Sequence, residues 1–358
     1  MSGLLRPMSR WGPALGLLAA WLLFAALAGG DFVSASNQRL MLLQTAVVGT
    51  AAVGATLVIV SGGIDLSVGS TIALGTMTGA IALREGAPPL VAALAGVATG
   101  VLVGALIGAM VVGRVVLAAS LPLGAFLGWR LGGLGGAAIG ACLGAAAGLA
   151  AGRFRARLPL PPFIVTLGMW GAVRGIAKGI GQNQPVYPRS TGWLADLMLP
   201  SGGALPAGVW ILIAVAAAFA FLLHRTRLGR HALAVGSNEE TARLCGVDVE
   251  RTKLLVYLLG VGCAGIASVL QLSYLSIGDP TTAQGAELRV IAAAVIGGAS
   301  LSGGEGSILG TLVGALLMTV VDNGCTRIGL DNWVQECVTG AIIVAAVAVD
   351  RLRQRSSA

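Results

Sequence analysis

Residues 61–70 read Ser61-Gly62-Gly63-Ile64-Asp65-Leu66-Ser67-Val68-Gly69-Ser70, set between apolar runs at about 41–60 and 66–83 with almost no loop. Glycines permit a sharp break, and serine and aspartate can satisfy the backbone groups that the break frees. Apolar runs of this length, joined this way, read as two membrane-crossing helices meeting at a polar hinge. A carboxylate in such a place is costly, so Asp65, with Ser67 beside it, is a candidate functional residue. A cap on the following helix is the plainer role, and the two are compatible.

The pattern repeats outward along the chain. Of 358 residues, 56% are hydrophobic and only 11% charged, and the mean hydropathy is +0.88. A soluble domain of this length needs far more polar surface. Spans are expected at roughly 11–29, 41–60, 66–83, 89–112, 115–129, 132–151, 163–181, 208–223, 254–275, 288–301, 307–325 and 335–350. The predicted fold is all-α: one polytopic transmembrane helical bundle over residues 1–358, with about 10–12 spans. The runs at 115–129 and 288–301 are short, as re-entrant or broken helices are. The apolar stretch after Arg10 is long and lacks a clear small-residue cleavage site, so it reads as a first span rather than a leader.

The formal charge of +8 comes without any soluble basic module, so it reads as a topology signal rather than a nucleic-acid surface. With the N-terminus inside and alternating spans, the inner segments collect most of the 23 Lys and Arg, including Arg153, Arg155, Arg157, Arg225, Arg227 and Arg230. Both termini then face the cytoplasm. A long outer loop runs from about Gln182 to Ala207, with aromatic residues suited to the membrane interface. A long inner loop runs from about His224 to Lys253 and holds a helix-like stretch. There Asn238 suits an N-cap, Glu239 and Glu240 suit a first turn, and Gly246 suits the stop.

Glycines recur every fourth residue at Gly96, Gly100, Gly104 and Gly108, and again 40 positions on at Gly136, Gly140, Gly144 and Gly148. Such rows line one helix face and let backbones approach closely. The shared displacement fits a local duplication or chance in a Gly-rich region. A third row opens the span after 307, at Gly306, Gly310 and Gly314. The five cysteines show no paired or metal-ligating spacing and read as small hydrophobes. No phosphate-cradling GxxxxGK[ST] is present, and His224 and His231 lack a third ligand. The chain reads as no enzyme, with no cofactor or metal of its own.

Four stretches in order resemble the ribose-type ABC permease family, the membrane subunits of many sugar importers. They are Gly62–Ser70; Pro161-Pro162-Phe163-Ile164-Val165-Thr166-Leu167-Gly168 with Arg174-Gly175; Thr226–Val247; and Gly285–Gly304 with Asp322-Asn323-Gly324. The resemblance implies an importer permease for a small polar solute, such as a monosaccharide or sugar alcohol, in the bacterial inner membrane. It implies an ABC ATPase partner that binds the ATP, an extracytoplasmic solute-binding protein, and a second permease copy in a homodimer or heterodimer. It makes 224–253 a cytoplasmic coupling loop, with Gly229, Arg230, Asn238, Glu239, Glu240, Arg243 and Gly246 as coupling residues. An ordinary solvated loop helix is the plainer reading of that stretch. Relative to the family pattern, Val112–Gly152 looks like extra material, with an additional hairpin within 89–129.

Asp65, Ser67, Glu287, Asp322 and Asn323 are the candidate residues of a translocation pathway. For Glu287, Glu305, Asp322 and Glu336 the alternative is simple pairing with a neighbour such as Arg289 or Arg327. An ion-gradient transporter using a buried carboxylate such as Asp65 is the second functional reading. A membrane-embedded enzyme is the third, but it lacks clustered catalytic residues.

Overall fold

A computed structural model describes residues 5–114, 160–199 and 205–357, together with isolated positions between 124 and 147. Helices account for nearly all of it: α1 (Leu5–Ala28), α2 (Gly30–Val33), α3 (Ala35–Val60), α4 (Val68–Arg84), α5 (Pro89–Val111), α6 (Pro162–Ile180) and α7 (Ala207–Arg225). Then follow α8 (Arg227–Ser237), α9 (Glu239–Leu244), α10 (Val249–Leu275), α11 (Ala286–Ile296), α12 (Ile308–Arg327) and α13 (Asn332–Ser357). A 3-10 turn spans Gly192–Leu197, and an isolated bridge pairs Val186 with Gly278. Among the described residues, α3, α5, α6, α7, α10 and α12 are long and apolar enough to cross a membrane. Apart from isolated positions, the expected spans at 115–129 and 132–151 lie outside the described residues, and so does the second half of the extra hairpin expected within 89–129, whose first half is α5.

α3 and α10 form the centre. In lipid there is little hydrophobic drive between helices, so close backbone contact must replace it. The glycine rows supply that contact. Gly100 and Gly104 of α5 lie on the backbone of α10, against Gly265 and Val261 and against Tyr257 and Leu258. Gly54 of α3 meets Gly260 of α10, and Gly314 of α12 meets Ala293 of α11. In the second row, Gly136 and Gly140 oppose Gly128 and Gly124. A Cβ at any of these positions would overlap backbone, which cannot move aside.

Among the described residues, non-helical backbone enters the bundle at three places. Residues 61–67 separate α3 from α4, with Gly62 at φ +81. Residues 276–285 descend along α4 to the start of α11: Gly278 lies against Thr76, Met77 and Ala80, and Ala283 against Gly69. Residues 297–306 turn α11 into α12. The predicted short span 288–301 is therefore an 11-residue helix between two irregular segments. The predicted inner loop 224–253 is largely helical. It comprises the end of α7, all of α8 and α9, and the first turn of α10. Its polar composition hid α8, whose buried side is only Gly229, Ala232 and Val235.

The ends of α3 and α12 away from α8 are tied by polar groups. Asn37 and Asn323 exchange amide hydrogen bonds at 2.8 and 3.1 Å, and Arg327 Nε donates to Asn37 Oδ1 at 2.9 Å. Asn37→Ala would strand the Asn323 amide inside the bundle. An orphaned buried amide costs about 1–3 kcal/mol, so a lower thermal midpoint in detergent is expected; an unchanged midpoint would contradict this role.

Candidate functional site

The exposed end of the bundle is built by α8 and α9. Thr226 caps α8 by accepting from Gly229 N at 3.2 Å. Gly229 is obligatory there because a Cβ would overlap the carbonyl oxygens of Leu222 and Leu223. Asn238 ends α8 and caps α9, its Oδ1 accepting from Thr241 N at 2.8 Å. Gly246, at φ +83, stops the turn that follows. Lys253 Nζ and Arg243 Nη2 donate to the two oxygens of Glu239 at 2.6 and 3.2 Å. Burial would raise the Glu239 carboxyl pKa, but these bonds and charges outweigh it and hold the group below its ordinary value. Glu240, Arg230 and Arg243 stay exposed, and Leu244 projects from the tip with 83% of its surface free.

Beneath α9 lies a cleft of about 240 Å³, bordered by Gly62, Gly63, Ser237, Lys253, Tyr257 and Ser302 among others. Its floor is where α8 meets two of the irregular segments. Gly236 sits on the last carbonyl of α3, Val60, which also accepts from Gly304 N at 2.9 Å. Gly303 and Gly304 have φ +84 and +80 and lie against Gly236 and Ser237. Backbone thus touches backbone, with no side chain to absorb displacement.

The five pathway candidates separate into two groups. Asp65 is 3% exposed, and its Oδ1 accepts from Ser67 N at 2.8 Å and Ser67 Oγ at 2.7 Å. That arrangement braces the turn into α4. Glu287 lies against Gly69, two residues beyond Ser67. Asp322 and Asn323 sit elsewhere: Asp322 takes Arg289 Nη1 at 2.7 Å, and Asn323 is held by Asn37. The expected pairing of a carboxylate with Arg289 is therefore Asp322's. Arg327 instead serves Asn37, and Glu287 has no hydrogen bond on Oε2.

Two residues stand out that are not among the candidate site residues named from the sequence. Arg174 of α6 is 9% exposed, and its Nη1 donates to the carbonyls of Pro280 and Thr282 at 2.9 and 2.7 Å. It pins the irregular segment 276–285 to α6. The signal in the sequence was a lone arginine inside an apolar run. Leu244 was the other, indistinguishable in sequence from a core leucine.

A helical bundle interrupted by irregular backbone, with a short capped helix at its exposed end, fits a transport architecture. The comparisons agree. The chain matches the family model for branched-chain amino acid transport system permease components over residues 39–113 and 111–347, and it belongs to that family. It is a multi-pass membrane permease subunit. It is 35% identical over 355 residues to the probable ABC transporter permease protein YphD of Escherichia coli K12, covering 98% of this chain and 93% of that one. It is 36% identical over 330 residues to the ribose import permease RbsC of the same strain, covering 90% and 88%. The fructose import permease FrcC of Rhizobium meliloti is 31% identical over 348 residues, covering 95% and 84%. No solved structure gives a significant match.

Proposed function

We propose that the chain is the permease subunit of an ABC importer that carries a neutral sugar-like solute, a monosaccharide or sugar alcohol, across the bacterial inner membrane. The observation that carries this reading is α9. It is a six-residue helix, capped at both ends, seated on α8 and presenting Glu240, Arg243 and Leu244 outward. The sugars printed in the names of two relatives, ribose and fructose, support the solute class.

In this reading an ATPase subunit binds the ATP and grips α9. A solute-binding protein delivers from the opposite end, near the 3-10 turn Gly192–Leu197, and a second permease copy completes the path. The chain alternates so that both ends point toward the α9 face, which is cytoplasmic here. Gly229 and Arg230 shape and charge the approach to α9, while Asn238 and Gly246 fix its ends.

Glu240→Ala with Arg243→Ala should reduce co-purification of the ATPase at least tenfold, with insertion intact. Leu244→Asp should do the same alone. Undiminished co-purification in both variants would remove α9 as the docking helix.

A further inference from the structure

Arg174 and Glu287 are both 9% exposed, each with one polar atom that has no partner: Nη2 on the arginine, Oε2 on the carboxylate. They carry opposite charges and flank the same irregular segment, Arg174 through the Pro280 and Thr282 carbonyls and Glu287 from the first turn of α11 just after Gly285. Nη2 and Oε2 are nevertheless not bonded to each other. Buried opposite charges are normally paired, because separation leaves both desolvated. The arginine is held back by the Pro280 and Thr282 carbonyls. The carboxylate is held against α4, in room that exists only because Gly69 has no side chain.

The backbone between them is unusual in the same way. Ser276, Ala283 and Gly285 have φ of +57, +55 and +75, and α11 begins immediately after, at Ala286. For Ala283, without a compensating side chain, that conformation is strained. Irregular backbone at membrane depth persists where protein or a water-filled cavity surrounds it, and broken helices form the solute sites of transporters. One turn before Arg174, Trp170 presents a ring that is 37% exposed.

We propose that Arg174 and Glu287 form a hydroxyl clamp on the translocation path, a site for a neutral polyhydroxylated solute; this rests on the importer reading above. A hydroxyl donates to Glu287 Oε2 and accepts from Arg174 Nη2, which satisfies both groups at once. A cation meets the guanidinium and an anion meets the carboxylate, so the pair favours neutral solutes. The Trp170 ring offers an apolar face to the C–H side of a sugar ring.

The test uses the full complex in membrane vesicles of both orientations. The T282C chain, which keeps Arg174, Glu287 and the backbone carbonyl that Arg174 holds, is exposed to a membrane-impermeant methanethiosulfonate, and uptake of D-ribose, L-arabinose and D-fructose is measured in parallel on the unsubstituted chain. Modification above that of the unsubstituted chain, slowed at least fivefold by a sugar that is imported, is the expected result. No modification in either orientation would overturn the clamp, since a group on an aqueous path must be reachable. Modification that an imported sugar does not slow would overturn it as well. Modification in a chain that imports none of the three sugars would sink the sugar reading, and the ligand class with it, while leaving an aqueous path. R174K should retain more uptake than R174M, and equal loss in both would speak for a purely structural arginine.

Discussion

Gly236→Ala should abolish import while leaving the chain inserted and bound to its ATPase. The added methyl group would overlap the carbonyl oxygen of Val60 and stand 2.7 Å from the backbone nitrogen of Gly304. Both are backbone atoms of segments fixed at both ends, so neither yields as a side-chain tip would. Overpacking of this kind costs about 1–3 kcal/mol, enough to shift the junction off its seat without unfolding a domain. The Val60 to Gly304 hydrogen bond, 2.9 Å long, would open with it. Because only Asn238 separates α8 from α9, this junction is where a pull on α9 reaches the break after α3 and the break before α12. Uptake in vesicles, normalised to the amount of inserted chain, should fall at least twentyfold, and ATPase co-purification should hold. Ser237→Ala, one residue on and exposed, should stay near the unsubstituted level. Near-normal uptake by the Gly236→Ala chain would show that the junction tolerates slack.

The second large effect is expected at Gly100. A Cβ there would lie 2.5 and 2.6 Å from the nitrogen and Cα of Gly265 and 2.8 Å from the Val261 oxygen. Gly100→Leu must therefore drive α5 away from α10 along their whole contact. α5 packs on α10 mainly through this row, with Tyr257, Leu254 and Val261 opposite it. The cost exceeds the about 1–3 kcal/mol of ordinary overpacking, against a total stability of about 5–15 kcal/mol. The variant should give little monodisperse protein in detergent, or a clearly lowered thermal midpoint. Gly16→Ala, at an α1 position with nothing within 4 Å, should change neither. A stable Gly100→Leu chain would mean that the glycine row is incidental.

What could be read from the sequence was local. Asn238, Glu239, Glu240 and Gly246 announced α9 because a cap, a first turn and a stop are decided by neighbours within four residues. The glycine rows announced close packing for the same reason: their period is that of one helix face. Partners across the bundle carried no such signal. Arg174 grips carbonyls 106 and 108 positions away, and Asn37 finds Asn323 across 286. Asp322 and Glu287 looked alike in the chain, two acids beside a span. Only packing reveals that one is paired and the other is left open. α8 was invisible for another reason. It lies along the end of the bundle and buries a narrow side made partly of glycine and alanine, so hydropathy reads it as loop.

On the importer reading, this helical bundle has no drive of its own and is moved by a partner at α9. Reconstitution tests it most directly: the chain in proteoliposomes, with and without its ATPase and solute-binding protein, and with ionophores to collapse every ion gradient. D-ribose, L-arabinose or D-fructose should accumulate only with both partners and ATP, undiminished by the ionophores. Accumulation by the chain alone, driven by a proton or sodium gradient, would contradict it.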